Sequence, residues 1–173
     1  MTASAKSPIY WSLTTYGDWS LYLAATAAGL TYVGSPNQPF EQLSAWVDAR
    51  HPGKTLIRSD DHLHPYASQL ADYFQGSLQR FTISVDLPGT PFQQAVWDAL
   101  QRIPYGRTCS YSDIAEAIER PAAVRAVGAA IGANPVLITV PCHRVIGKGG
   151  ALTGYRGGME MKVKLLQLEQ GEQ

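Results

Sequence analysis

The sequence predicts two small domains, an α/β unit over residues 1–87 followed by a mainly helical unit over 88–173. Three observations carry this. Aromatic and β-branched residues dominate from Ile9 to Val33, apolar positions recur at helical spacing from Phe40 onward, and "DLPGT" at 86–90 interrupts both periods. With 173 residues, 45% of them apolar, there is enough material for a real core.

In the first unit "YGDW" and "AAGL" are turn signals, so Ile9 to Val33 reads as two or three antiparallel strands. Phe40, Leu43, Trp46 and Val47 then predict a helix, and Tyr66, Leu70, Tyr73 and Phe74 a second one. Between them "HPGK" leads into a short strand or loop, and "DDHLH" at 60–64 reads as a solvated loop. Its histidines and His51 lack a second converging set of ligands, so no metal is expected there. Phe81, Ile83 and Val85 alternate as a further strand, and nothing in this half resembles a reaction centre.

The second unit opens with Thr90, Pro91 and Gln93, a hydroxyl cap, a first-turn proline and a glutamine able to close a capping box. This helix is expected to reach about Arg102 and to bury Phe92, Val96, Ala99, Leu100 and Ile103 before "PYGR" stops it. Ser110 and Asp113 offer a second capping box for a short helix with Ile114 and Ile118 inward. After "ERP" comes "AAVRAVGAAIGA", whose Val124, Val127, Gly128 and Ile131 form a core face. The opposite face holds Ala122, Arg125, Ala126, Ala129 and Ala133. Either this helix is buried on both sides, or its small residues let it approach another surface closely. The short helix, turn and helix resemble a helix-turn-helix, and small residues with one arginine suit a minor groove better than major-groove readout.

"VPCHRVIGKGG" at 140–150 sets a cysteine beside a histidine. Packing residue, metal ligand and nucleophile are all open readings of Cys142. Cys109 and Cys142 form no CxxC pair, so a cysteine-built zinc site is not expected and both should be free thiols. The apolar run Val136 to Val140 reads as a buried extended segment that Pro141 terminates. Neighbours on an extended chain face opposite ways, so His143 need not touch the thiol directly, and a bridging water could still carry the proton. Six glycines within 147–158 let the backbone pass close to a flat group, while the absence of GxxxxGK[ST] excludes a phosphate loop of that type.

The formal charge is zero, which disfavours a strongly electrostatic nucleic-acid binder. Residues 1–87 carry five Lys/Arg against seven Asp/Glu, and residues 88–173 nine against seven, so an anionic partner is expected on the second half. No apolar run suits a membrane span, and "MTASAKSPIY" lacks the apolar block of a leader peptide. A cytoplasmic protein is expected.

"PCHRV", with "SY", "RAVGAA", "NP" and "GYRGG" around it in this order, resembles the methylated-DNA–protein-cysteine methyltransferase family, also called O6-alkylguanine-DNA alkyltransferases, over about residues 88–170. The resemblance implies an RNase-H-like amino-terminal domain with a small antiparallel sheet, and a carboxy-terminal domain with a winged helix-turn-helix. It implies DNA repair by direct reversal, in which Cys142 irreversibly takes an alkyl group from O6 of guanine, once per molecule. O4 of thymine is left open as a further substrate. His143 would draw off the thiol proton through water, Glu169 would orient the imidazole, and Tyr111 would donate a hydrogen bond to the base. The carbonyls of Cys142 and Val145 would read the exocyclic amine, while Tyr155, Arg156 and Gly157 would supply a wall and an amide donor to O6. Arg125 would fill the vacancy left by the flipped base, Ala123, Ala126 and Ala129 would face the minor groove, and Asn134 would tie the helix to the active-site segment.

The implied partner is double-stranded DNA containing O6-alkylguanine, bound by a monomer, with cooperative binding along DNA left open. No cofactor, metal or membrane partner is implied. The compartment follows the genome: nucleoid-associated if bacterial, nuclear if eukaryotic. Arg156 stands where some relatives have serine, and the first half lacks the cysteines that serve as zinc ligands in some relatives. Cys109 matches no functional position and reads as a packed thiol. A Cys-His hydrolase would leave the helix-turn-helix and the alanine face without a role. A protein that only binds alkylated DNA, or a regulator, would not be expected to keep Cys142.

Overall fold

The computed structural model describes residues 7–171, so the opening residues on which the leader-peptide reading rests lie partly outside it. The chain divides into two compact units, Met1–Pro88 and Gly89–Gln173. Among the described residues no helix is long and apolar enough to cross a membrane.

In the first unit β1 (Ile9–Tyr16), β2 (Trp19–Thr26) and β3 (Gly29–Val33) form an antiparallel meander. Gly17, at φ +58, supplies the left-handed residue of the two-residue turn joining β1 to β2. Helix α1 (Phe40–Arg50) then crosses back, and β4 (Leu56–Arg58) joins the far side of β1 in parallel, giving the order β3-β2-β1-β4. The sheet is therefore mixed and not purely antiparallel as expected. A helical crossover returns the chain in the direction it left, which is the geometry of a parallel neighbour. Ile9, Ala24 and Tyr32 from the sheet pack with Leu43 and Val47 of α1 as the core on that face.

Two further expectations for this unit change. "DDHLH" is the first turn of α2 (Asp60–Phe74), because Ser59 Oγ accepts the His62 amide and Asp60 and Asp61 sit at the positive end of the helix. The His62 ring stacks on Tyr10 with centroids 3.7 Å apart. The strand expected at Phe81–Val85 is reduced to one parallel bridge, Leu30 with Val85. Gln69 of α2 accepts the Thr82 amide on Oε1 and donates from Nε2 to the Thr82 hydroxyl, and Pro88 ends any extension on the other side.

The second unit begins with α3 (Pro91–Gln101), whose Thr90–Gln93 capping box is complete. Its largest buried side chain is Trp97, 1% exposed, with Nε1 donating to Ala130 O at 2.9 Å; Phe92, expected in the core, is only half-buried. The ring of Trp97 lies so close to Gly89 that a β-carbon there would sit 2.5 Å from it.

The strand β5 (Cys109–Ser110) precedes α4 (Tyr111–Ala117), which carries the Ser110–Asp113 capping box. Helix α5 (Val124–Gly132) buries Val127, Ala130 and Ile131. Val124, at the open first turn, is exposed, and so are Arg125, Ala126 and Ala129. The helix is thus not buried on both sides. Finally β6 (Val145–Ile146) pairs in parallel with β5, and α6 (Met159–Glu169) closes the unit.

The run Val136 to Val140 is buried as expected but is not extended. Asn134 accepts the Val136 amide on Oδ1 and donates from Nδ2 to Val140 O at 2.9 Å, folding the run into a tight loop. Within it Ile138 has φ +72, a strained value for a β-branched residue, and its side chain is fully buried.

Candidate active site

The loop held by Asn134 delivers Pro141 and a single 3-10 turn over Cys142–Arg144. This turn replaces the extended backbone expected there, so Cys142, His143 and Arg144 fan out from one short arc. All three are buried, at 4%, 0% and 6% exposure. Cys142 Sγ accepts the second Nδ2 hydrogen of Asn134 at 3.2 Å. Both amide hydrogens of Asn134 are thereby used, one on the loop and one on the sulfur.

His143 turns the other way. Its Nε2 lies 2.7 Å from Glu169 Oε2 near the end of α6, while Nδ1 is buried without a protein hydrogen-bond partner. A carboxylate accepts only, so Nε2 carries the proton and Nδ1 presents a lone pair. Glu169 also receives Arg144 on both oxygens, from Nε at 2.8 Å and from an η nitrogen at 3.0 Å, and the Gly106 amide at 3.3 Å. The remaining Arg144 η nitrogen donates to Ile103 O at 2.6 Å, and its guanidinium lies over the Tyr105 ring at 5.7 Å. Arg144 was not among the residues singled out from the sequence.

Lys162 was missed as well. It is 1% exposed on α6, and its Nζ donates to Val145 O at 2.8 Å and Thr153 O at 3.2 Å. Thr153 in turn pairs its hydroxyl with that of Tyr111 at 2.6 Å. Tyr111 opens α4, and a β-carbon on Gly128 of α5 would lie 3.8 Å from its ring, so α5 runs directly behind the tyrosine. Arg156 donates from Nε to Asn134 O at 3.1 Å. Gly157 is required sterically, since a β-carbon there would meet the Tyr155 ring at 2.5 Å and Met161 Sδ at 2.9 Å.

Burial pushes the Cys142 thiol up, opposed by the Asn134 hydrogen bond and by the nearby charges of Arg156 and Lys162. Burial also pushes His143 down, opposed by Glu169 and reinforced by Arg144 and Lys162. The resting pair is therefore a neutral thiol and a neutral imidazole. Tyr155 is half-buried but its hydroxyl is enclosed, and burial first of all, with Glu169 adding to it, holds it well above the usual phenol range against the pull of Arg156. Burial and Asp113 raise the Cys109 thiol to about 11, which makes it a poor nucleophile. Among the described residues, no group of three or more His, Cys, Asp or Glu is placed to hold a metal ion.

The structure therefore forms two hydrogen-bonded pairs on adjacent residues of one turn, Asn134 with Cys142 and His143 with Glu169, with Val145, Tyr155, Arg156 and Gly157 in the segments beside them. Tyr111 joins through Thr153. Arg125, Ala126 and Ala129 lie outside this set on the exposed face of α5, and Ala123 is half-buried at its start.

The chain as a whole has known relatives. A family model described as the DNA-binding domain of 6-O-methylguanine DNA methyltransferase matches residues 91–171. The inducible methylated-DNA–protein-cysteine methyltransferase of Bacillus subtilis (strain 168) is 60% identical over 164 residues, 95% of this chain and 92% of that protein. The chain belongs to the methylated-DNA–protein-cysteine methyltransferase family. The crystal structure of Mycobacterium tuberculosis O6-methylguanine methyltransferase is similar with a TM-score of 0.80 at 41% identity, covering 95% of this chain and 94% of that one. That of Mycobacterium tuberculosis OGT in complex with DNA is similar with a TM-score of 0.79, again at 41% identity, covering 94% and 93%. In this family member the Cys142–Arg144 turn thus sits on a buried ion-pair frame.

The frame is open to a direct test. Replacing Arg144 with Met removes the guanidinium from a buried carboxylate. Urea unfolding should show a loss of about 3–5 kcal/mol, with an unchanged dependence on denaturant. A loss below about 1 kcal/mol would mean that the carboxylate is solvated and the frame is not a buried ion pair.

Proposed function

We propose that this chain repairs DNA by direct reversal, moving an alkyl group from O6 of guanine to Cys142, one event per molecule. The observation that carries the reading is the pairing of a buried thiol, held by Asn134, with an imidazole whose one nitrogen is committed to Glu169 and whose other is bare. In the reaction the thiol proton passes through a water to His143 Nδ1. The sulfur then attacks the alkyl carbon, an S–C bond forms, and the C–O6 bond breaks with its electron pair left on the base. The imidazolium is stabilised by Glu169, and the charge on the departing guanine meets the Tyr111 hydroxyl. The product is a thioether, which no group in the site can cleave, so a single turnover follows.

Cys142 is only 4% exposed, so a base stacked in a duplex cannot bring its alkyl carbon to the sulfur. The base has to leave the stack, at a cost of a few kcal/mol that pocket contacts offset. Arg125 on the exposed face of α5 fills the gap, and Ala123, Ala126 and Ala129 let that face enter the minor groove. The carbonyls of Cys142 and Val145 already accept bonds from the Val145 amide and Lys162, and each keeps a second lone pair for the guanine amine. Tyr155 and the 156–158 backbone form the wall of the site.

In fold terms, the first unit is read as RNase-H-like and the second as a winged helix-turn-helix. The mixed sheet with α1 and α2 supports the first, and α4, α5 and the β5–β6 pair support the second. The damaged duplex is engaged by a monomer.

Incubation with a duplex bearing O6-methylguanine should add one CH2 to the intact protein mass, located on the peptide containing Cys142 and never exceeding one per molecule. Label on Cys109, or repeated turnover, would overturn the assignment. Arg125→Ala should slow repair of the duplex while leaving reaction with free O6-benzylguanine within about twofold, since stacking energies act only on the extruded base. Equal slowing with both substrates would remove the gap-filling role.

A further inference from the structure

The hydroxyl pair between Tyr111 and Thr153 is the shortest polar contact that joins α4 to the glycine-rich segment, at 2.6 Å. Thr153 is held there by its own main chain, whose carbonyl accepts from Lys162 Nζ at 3.2 Å. Lys162 is 1% exposed and is also bonded to Val145 O, so a buried ammonium fixes the segment against β6. The Thr153 side chain is thus presented to Tyr111 on a stiff support, although it lies in a stretch rich in glycine.

A phenolic hydroxyl has one hydrogen, and what it can donate to depends on where that hydrogen points. When Thr153 Oγ1 donates to Tyr111 Oη, the tyrosine hydrogen is released for another acceptor, and the donated bond polarises the phenol so that it becomes a better donor. A threonine hydroxyl rotates freely enough to take this role when the base arrives. Resting on the reading of Tyr111 as donor to the departing base, we propose that Thr153 is a positioning residue that directs and strengthens the Tyr111 hydrogen bond during alkyl transfer.

The test compares Thr153→Ser with Thr153→Ala, which differ by the hydroxyl alone, in the parent and in a Tyr111→Phe background. Single-turnover transfer from an O6-methylguanine duplex is measured for each, with melting temperatures recorded alongside. Thr153→Ala should react about 3- to 10-fold more slowly than Thr153→Ser in the parent background, the range expected for one neutral hydrogen bond. In the Tyr111→Phe background the two should react alike, because the group through which Thr153 acts is gone. Equal rates with Tyr111 present, or the same deficit without it, overturn the proposal even where melting temperatures shift. Should Tyr111→Phe itself react as fast as the parent, the donor role of Tyr111 fails and this inference fails with it.

Discussion

One buried carboxylate, Glu169, organises the second unit. It stands near the end of α6 at 6% exposure and receives His143, the Nε and one η nitrogen of Arg144, and the Gly106 amide. An ionised carboxylate in such a place is costly unless its lone pairs are met, and here donors from two chain segments, the 143–144 turn and Gly106, meet it. The bidentate arginine neutralises the charge. Oε2, shared with an η nitrogen of Arg144, then orients the imidazole without making His143 permanently cationic, and burial pushes the imidazole further toward the neutral form. The same carboxylate thus closes the fold around residues 103–106 and 142–144 and selects the tautomer that exposes Nδ1.

The thiol is prepared by different means. The loop before it carries a strained Ile138 and is folded on Asn134, whose two amide hydrogens divide between Val140 O and the sulfur. Burial disfavours the thiolate, while the Asn134 hydrogen, Arg156 and Lys162 favour it. Burial thus keeps the thiol in its neutral form at rest. A permanently ionised cysteine would be open to oxidation, and in the proposed reaction ionisation is coupled to the moment of attack.

The parts of this design that depend on neighbours in sequence were legible from it. Both capping boxes, the helix at "AAVRAVGAAIGA" and the three-strand meander rest on local spacing, and all appear where the spacing puts them. The parts that depend on distant partners were not. The parallel placement of β4 needs the crossover of α1, and the loss of a strand at Phe81–Val85 needs Gln69 from α2. "DDHLH" reads as loop by composition, yet a serine cap and two aspartates are also how a helix begins.

In the site, the family resemblance pointed to the cysteine, histidine, glutamate, asparagine and tyrosine, whereas Arg144 and Lys162 were passed over. A lysine or arginine reads as surface by residue type, and only the fold shows that their charges are enclosed and bonded to Glu169 and to backbone carbonyls. Trp97 escaped for a related reason, since its indole N–H is satisfied by Ala130 O, a partner 33 residues away. The signal that was available is the "HR" pair itself. The two side chains close on one carboxylate, and an arginine directly after the histidine is what neutralises the histidine's acceptor.

The central claim concerns the proton on one imidazole, and it is read most directly by long-range 1H–15N correlation on protein with labelled histidine at neutral pH. His143 should show a protonated Nε2 and a bare Nδ1, and should remain neutral below the usual histidine midpoint near 6.5 because burial holds its affinity for a second proton down. A His143 with the proton on Nδ1, or doubly protonated at neutral pH, would contradict the account, since no lone pair would then be present to receive the proton of Cys142.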